Sequence, residues 1–262
     1  MRDDVLLTDR RANGVVWLTL DRPEIHNAFD DRLIAELTRE LRVLGADDGV
    51  RVLVLTGAGR SFSAGADLNW MRRTASYGEA ENLADARALA RLMQTLNELP
   101  KPTVARVNGA ALGGGTGLVA CCDIVVASAR ATFGTTEVRL GLIPAVIGPY
   151  VLAAIGQRQA RRLMLTGERI SAAEAARLGL VHEVVPAEQL DGAVERIVGE
   201  LLQNGPAALA AAKRLVHDLY GRSIDPALID DTATRIASLR ATGEAREGVG
   251  AFLEKRPPAW LS

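Results

Sequence analysis

The sequence predicts an α/β body followed by a mainly helical C-terminal region, and three observations carry that prediction. Up to about residue 185, short apolar runs closed by turn residues alternate with stretches whose apolar residues recur at helical spacing. From about residue 188 onward only the helical spacing remains. Apolar residues make up 48% of the 262, enough for a sizeable core, and no low-complexity linker or internal repeat divides the chain. The body is assigned to residues 1–187 and the helical region to 188–262.

Each element has its own signal. Val15-Val16-Trp17-Leu18-Thr19-Leu20 has strand composition and ends at the turn signal Asp21-Arg22-Pro23. Over residues 30–46, Leu33, Ile34, Leu37, Leu41 and Leu44 share one helical face, and Asp30 is a good N-cap. Residues 51–56 (RVLVLT) form a second strand, closed by Gly57-Ala58-Gly59. A helix over about 78–99 stops at Pro100. A strand at 102–107, a glycine turn, a helix at 112–121 and a strand at 123–127 follow. Val181-His182-Glu183-Val184-Val185 is the last strand, and helices are expected at 188–203, 206–219, 226–240 and 243–254.

Composition excludes several classes of function. A formal net charge of -1 argues against a nucleic-acid binder. No apolar run has membrane-spanning length, and Met1-Arg2-Asp3-Asp4 does not open a signal peptide. A soluble cytoplasmic protein is expected. Cys121 and Cys122, adjacent in an apolar helical stretch, read as small buried hydrophobes. His182 reads as a packed or edge histidine and His217 as part of a solvated helix face. The three histidines, His26 included, lack metal-ligand spacing, so no metal is expected.

Chemistry points to two small-residue turns. Gly113-Gly114-Gly115 lies where the 102–107 strand gives way to an apolar helix. Such a junction exposes unpaired N–H groups, and glycine lets a ligand atom approach them. The helix dipole there favours an anion or a developing oxyanion. A second turn, Ser63-Ala64-Gly65-Ala66-Asp67, follows the 51–56 strand, with Asp67 placed to cap the next helix. Taken by itself, the triple glycine is explained equally by packing and by a site, whereas the second turn taken alone is more often structural than catalytic. Neither carries a P-loop ending or a dinucleotide fingerprint.

FSAGADL (62–68), KPTVARVNGAALGGG (101–115) and TGERISAAEAARLGLVHEVV (166–185), in this order and spacing, resemble the crotonase (enoyl-CoA hydratase/isomerase) superfamily. The resemblance runs from about Val15 to Arg256. It implies a crotonase-like spiral of ββα units with a helical C-terminal trimerisation region, assembled as a homotrimer or dimer of trimers. It implies an acyl-CoA substrate, coenzyme A being part of that substrate and no separate cofactor being needed. The matching positions make the Ala66 and Gly114 N–H groups the oxyanion hole for the thioester oxygen. Coenzyme A is expected along His26, Ala28, Ala64, Asp67 and Leu68, with Leu112, Gly113 and Pro144 also against the ligand. Phe252 and Lys255, in the FLEKR tail, are expected near its nucleotide end.

Typical hydratases of the superfamily use two glutamates. The second matches Glu137, in Thr135-Thr136-Glu137-Val138-Arg139-Leu140-Gly141-Leu142-Ile143-Pro144; the first falls on Gly117 and is absent. Glu137 beside an apolar run is a sensible base, since partial burial raises a carboxyl toward the working pH. IPAVIGPYV (143–151), followed by IGQRQARRLMLTGERI, resembles bacterial methylglutaconyl-CoA and isohexenylglutaconyl-CoA hydratases of leucine and terpene degradation. Their substrates carry a distal carboxylate, for which Arg72 and Arg73 are candidate partners, Arg139 a weaker one, and Tyr150 a candidate acyl-pocket residue. The expected reaction is reversible hydration of a branched 2-enoyl-CoA. The alternatives are a delta-3,delta-2-enoyl-CoA isomerase using Glu137 alone, and a non-catalytic acyl-CoA-binding subunit.

Overall fold

The computed structural model describes residues 4–261; the signal-peptide reading of Met1-Arg2-Asp3 and the final residue of the helical region lie outside the described residues. Strands β1 (Leu6–Arg10), β2 (Val15–Leu20), β3 (Val52–Gly57), β4 (Ser61–Ser63), β5 (Thr103–Val107), β6 (Ala110–Leu112), β7 (Ile124–Ser128), β8 (Thr132–Gly134), β9 (Ile170–Ser171) and β10 (Glu183–Val185) form two sheets. The larger has the order β1-β2-β3-β5-β7-β10, parallel from β2 onward with β1 antiparallel at its edge. The smaller has the order β4-β6-β8-β9, with only β9 antiparallel.

Helices α1 (Asp31–Ala46), α2 (Leu68–Thr74), α3 (Glu79–Asn97), α4 (Gly114–Cys121), α5 (Gly148–Thr166) and α6 (Ala172–Leu178) lie within the body. The C-terminal region is α7 (Leu190–Leu202), α8 (Pro206–Leu219), α9 (Pro226–Arg240) and α10 (Gly243–Glu254). Asp30 caps α1 as expected, its carboxylate accepting from the Leu33 N–H at 2.8 Å. No helix among the described residues is long and apolar enough to cross a membrane.

Strand alternation divides the core. Val16, Leu18, Leu20, Leu53, Leu55, Ala105 and Val107 pack with Leu33, Leu37 and Leu41 of α1, Leu92 and Leu96 of α3, and Leu118 of α4. Val15, Val52, Val54, Val104 and Val126 point the other way, against Leu190, Val194 and Val198 of α7. Both faces of the large sheet are therefore covered, which is why RVLVLT shows no polar alternation. Each such side chain contributes about 1.5–3 kcal/mol on burial. Cys121 and Cys122 are buried in the first of these clusters.

The parallel strands are followed by a recurring path. β3 leads through β4 to α2, β5 through β6 to α4, and β7 through β8 to a 3-10 turn at Glu137–Leu140. The sequence shows no repeat because what recurs is a backbone route, while the three pairs share no residue pattern. The helix expected from 112 starts at Gly114 because Ala110–Leu112 is taken into the small sheet as β6.

The helical tail docks on the opposite end of the large sheet. Arg51, just before β3, donates to the carbonyls of Leu202, Asn204 and Trp260 at 3.1, 2.9 and 3.0 Å. Asp123, just before β7, accepts from Lys213 of α8 at 2.9 Å and from the Thr103 N–H and hydroxyl at the start of β5.

Candidate active site

Because β4, β6 and β8 are neighbours in one parallel arrangement, the three turns that leave their C-terminal ends come out side by side. These are 64–67, Gly113 and 135–137. Contact between the first two is close. A Cβ on Gly65 would stand 3.1 Å from the Leu112 carbonyl oxygen and 4.0 Å from Gly113 Cα. Gly65 has φ +94 and Gly113 φ +52, left-handed backbone that side chains resist.

The first turn is held by a parallel bridge between Phe29 and Ala66. Phe29 donates its N–H to Gly65 O and accepts from the Asp67 N–H, both at 2.7 Å. In that pattern the flanking residues make the bonds, so the N–H of Ala66 itself points away from the Phe29 strand. Asp67 caps α2 as expected, accepting from the N–H groups of Asn69 and Trp70. Arg22 pairs with Asp30 at 2.8 Å, lies 3.6 Å from Asp67, and donates to the Ala28 carbonyl at 2.9 Å. It ties the caps of α1 and α2 to the loop that precedes α1.

In the second turn Gly113 donates to Gly134 O at 2.8 Å, and the first helical bond of α4 is Gly117 N–H to Gly113 O. The Gly114 N–H precedes that bond and is one of the open donors of the helix start. A Cβ at Gly114 would meet the Phe29 ring at 3.2 Å. Thr116 braces the turn, its hydroxyl bonded to the backbone of Ala111 and Gly134.

Glu137 opens the third turn. A Cβ on Gly113 would lie 3.3 Å from Glu137 Oε1, so the carboxylate sits against the glycine turn. Its Oε2 is buried and has no hydrogen-bond partner in the protein. Burial pushes the carboxyl above its ordinary value, opposed only by its own backbone N–H. Burial that disfavours the charged form in this way is how a fold prepares a carboxyl for general acid/base work.

Gly117, one turn along α4 from Gly114, faces a filled space. A Cβ there would be 2.3 Å from Ile147 Cγ2 and 3.3 Å from Met93 Cε. Ile147 is 2% exposed and immediately precedes α5. The sequence makes Gly117 conspicuous but gives no sign that Ile147 occupies its place; only the packing of α5 on α4 shows it.

The structure brings several expected residues to this site. His26 accepts the Ala64 N–H on its carbonyl at 2.9 Å, and its ring bridges Ser61 Oγ and Arg60 at 2.9 Å each. Ala28 is buried in the same loop, Leu68 is exposed beside the first turn, and Pro144 is buried just past the Glu137 turn. Leu112 reaches the site through its carbonyl, as the Gly65 contact shows.

Other expected residues have partners or surroundings of their own. Arg73 is engaged with Asp31 at 2.5 Å, and Arg72 donates to Asn69 at 3.0 Å on the exposed face of α2. Tyr150 lines a cavity of about 570 Å³ at the far end of α4, among Cys121, Cys122, His182 and His217. Glu137 is not among the residues that line this cavity. Phe252 and Lys255 are exposed on the tail. That tail docks at the N-terminal ends of the strands, about 20 Å of strand away from the turns. His182 is a packed histidine, its Nδ1 accepting the Val125 N–H at 3.0 Å, and burial lowers its pKa. No cluster of His, Cys, Asp and Glu that could hold a metal occurs among the described residues.

The comparisons with known proteins agree with this geometry. Residues 10–262 match the family described as enoyl-CoA hydratase/isomerase. A crystal structure of an enoyl-CoA hydratase from Shewanella pealeana is 45% identical, with a TM-score of 0.95 over 99% of this chain and 97% of that one. The 2,3-dehydroadipyl-CoA hydratase of Escherichia coli is 36% identical over 95% of both chains. The 1,2-epoxyphenylacetyl-CoA isomerase of the same organism is 37% identical over 94% of both. With a family match over residues 10–262 and relatives aligned along nearly their whole length on the same fold, the chain belongs to the enoyl-CoA hydratase/isomerase family and is an enzyme of the crotonase superfamily.

Proposed function

We propose that this enzyme reversibly hydrates a branched, carboxylated 2-enoyl-CoA of the 3-methylglutaconyl type, with Glu137 as its sole acid/base group. The observation that carries the reading is the buried, unpartnered Oε2 of Glu137 against the glycine turn. The thioester oxygen would sit on the Ala66 and Gly114 N–H groups, which stabilise the enolate as it forms. Coenzyme A would follow His26, Ala28, Ala64 and Leu68 toward the mouth, while Asp67 acts through its cap on α2. The reaction balances with no separate cofactor.

A carboxylated acyl group is supported by the motif at 143–151 and by the relative named for a dehydroadipyl thioester, an acyl group that ends in a carboxylate. Since Arg73 already has Asp31 as its partner, Arg72 is the better candidate for that distal charge. Exposed Val249, Phe252 and Leu253 on α10 support assembly as a trimer or dimer of trimers. In such an assembly Phe252 and Lys255 would serve a neighbouring copy's ligand.

Isomerisation of a 3-enoyl-CoA is the second reading, favoured by Ile147 closing the Gly117 position, because a 1,3-proton shift needs one carboxylate and no water. Incubating the protein with 3-methylglutaconyl-CoA, crotonyl-CoA and a 3-enoyl-CoA in ¹⁸O-water separates the two. Label in a new hydroxyl is expected, with 3-methylglutaconyl-CoA turned over fastest. Double-bond migration without label would replace hydration by isomerisation, and turnover surviving Glu137→Gln would overturn both.

A further inference from the structure

The turn that carries Glu137 contains a second buried polar atom without a protein partner, the hydroxyl of Thr135. Thr135 is 1% exposed and lies between the end of β8 and Glu137. A buried hydroxyl with no hydrogen bond destabilises a fold, and valine has the same shape without that penalty. Nearby Thr116 shows that the fold can satisfy a threonine here, since its hydroxyl bonds to Ala111 and Gly134. On the facing wall, α4 presents Gly117 with Ile147 and Met93 packed over it, and so offers no polar side chain at that point. Thr135 Oγ1 and Glu137 Oε2, both buried and without a protein partner, thus lie two residues apart in the third turn.

We propose that Thr135 Oγ1 holds the attacking water against Glu137, an inference that rests on the hydratase reading. One O–H of the water donates to Thr135 Oγ1 and the other to Glu137 Oε2. As the water oxygen bonds to Cβ, the second O–H breaks and its proton passes to Oε2. The Cα=Cβ pair shifts to give the enolate on the thioester oxygen. Glu137 then returns a proton to Cα, leaving a hydroxyl on Cβ and regenerating the carboxylate. Thr135 touches the reacting water and takes no proton.

The test compares wild type, Thr135→Val, Thr135→Ser and Glu137→Gln in two reactions. The first is hydration of 3-methylglutaconyl-CoA. The second is hydrogen–deuterium exchange at the α-carbon of butyryl-CoA in D2O, which needs the base and the oxyanion donors but no attacking water. Thr135→Val is expected to lower hydration kcat at least about tenfold, keep α-exchange within about twofold, and melt at a higher temperature than wild type. Thr135→Ser keeps the hydroxyl and is expected to hydrate. Glu137→Gln loses both reactions. Hydration at the wild-type rate by Thr135→Val would overturn the proposal, as would parallel loss of exchange or failure of that variant to fold. A wild type that exchanges the α-proton but hydrates no enoyl thioester refutes the hydratase reading itself, and the role of Thr135 falls with it.

Discussion

Replacing Gly117 by alanine puts a methyl carbon 2.3 Å from Ile147 Cγ2, 2.9 Å from Ile147 Cβ and 3.3 Å from Met93 Cε. Carbon atoms settle at about 3.5–4.0 Å, so Ile147 must retreat by more than about 1 Å. It is buried and joined directly to α5, so the helix must shift with it or the side chain must leave its rotamer. Overpacking of this kind costs about 1–3 kcal/mol. Alanine in a helix interior recovers about 1 kcal/mol relative to glycine, leaving a net loss of up to about 2 kcal/mol. For a chain of this size that is a fall in Tm of up to about 8 °C. Ile147→Ala alone is expected to cost about 2–5 kcal/mol. In that background, however, the 2.3 Å contact with Cγ2 is gone and only the Cβ at position 147 and Met93 Cε remain close, so Gly117→Ala costs less than it does in wild type. Urea unfolding of the four proteins measures the coupling, expected at about 1–3 kcal/mol. A rise in stability from Gly117→Ala in the wild-type background would refute the packing account.

Glu137→Gln is expected to abolish turnover, by about 10²–10⁴-fold, while stabilising the protein at neutral pH. Because the folded carboxyl is raised, the stability it contributes is full below its ordinary 4.5 and is lost as pH rises through the folded value; urea midpoints of the two proteins should coincide in acid and diverge above it. Arg22→Ala strands Asp30 and Asp67 with little solvent around them and is expected to cost about 2–4 kcal/mol, read as a lower urea midpoint together with reduced activity from a displaced first turn. His182 has the opposite sign to Glu137. Burial lowers its pKa below 6.5, so its stabilisation is present above that value and is lost as pH falls through the folded one. The His182→Gln protein should lack that acid-side loss in a pH series of melts.

Most long elements were legible in the sequence because each covers enough residues to show a period. The α1 stripe from Leu33 to Leu44, its Asp30 cap, and the four C-terminal helices all stand within two residues of their expected bounds. The small sheet was not legible. Strands of two or three residues, such as Ser61–Ser63 and Ala110–Leu112, are too short for alternation, and long-range pairing defines them. For the same reason the glycine triplet reads as a strand-to-helix turn when a further short strand intervenes. Glu137, Ala66 and Gly114 are singled out only through the motif resemblance, and charge and residue type alone give no sign of the surroundings of Arg73, Tyr150 or Phe252. Arg73 is taken by Asp31, forty-two positions away. Tyr150 turns to another cavity, and the direction of the tail depends on Arg51 and Lys213.

If the thioester is held as proposed, the side-by-side exit of the turns from β6 and β8 also limits how far along an acyl chain this enzyme can act. Neighbouring strands are about 4.8 Å apart, so a carboxylate on one turn and an oxyanion donor on the next are separated by a fixed step. A thioester whose oxygen is anchored on Gly114 presents its first two chain carbons within that step. Carbons beyond the γ-carbon pass out of the reach of Glu137, whatever the length or branching of the tail. The sheet thus works as a ruler: substitutions around the mouth can change which acyl group is admitted, but the bond that reacts stays next to the thioester.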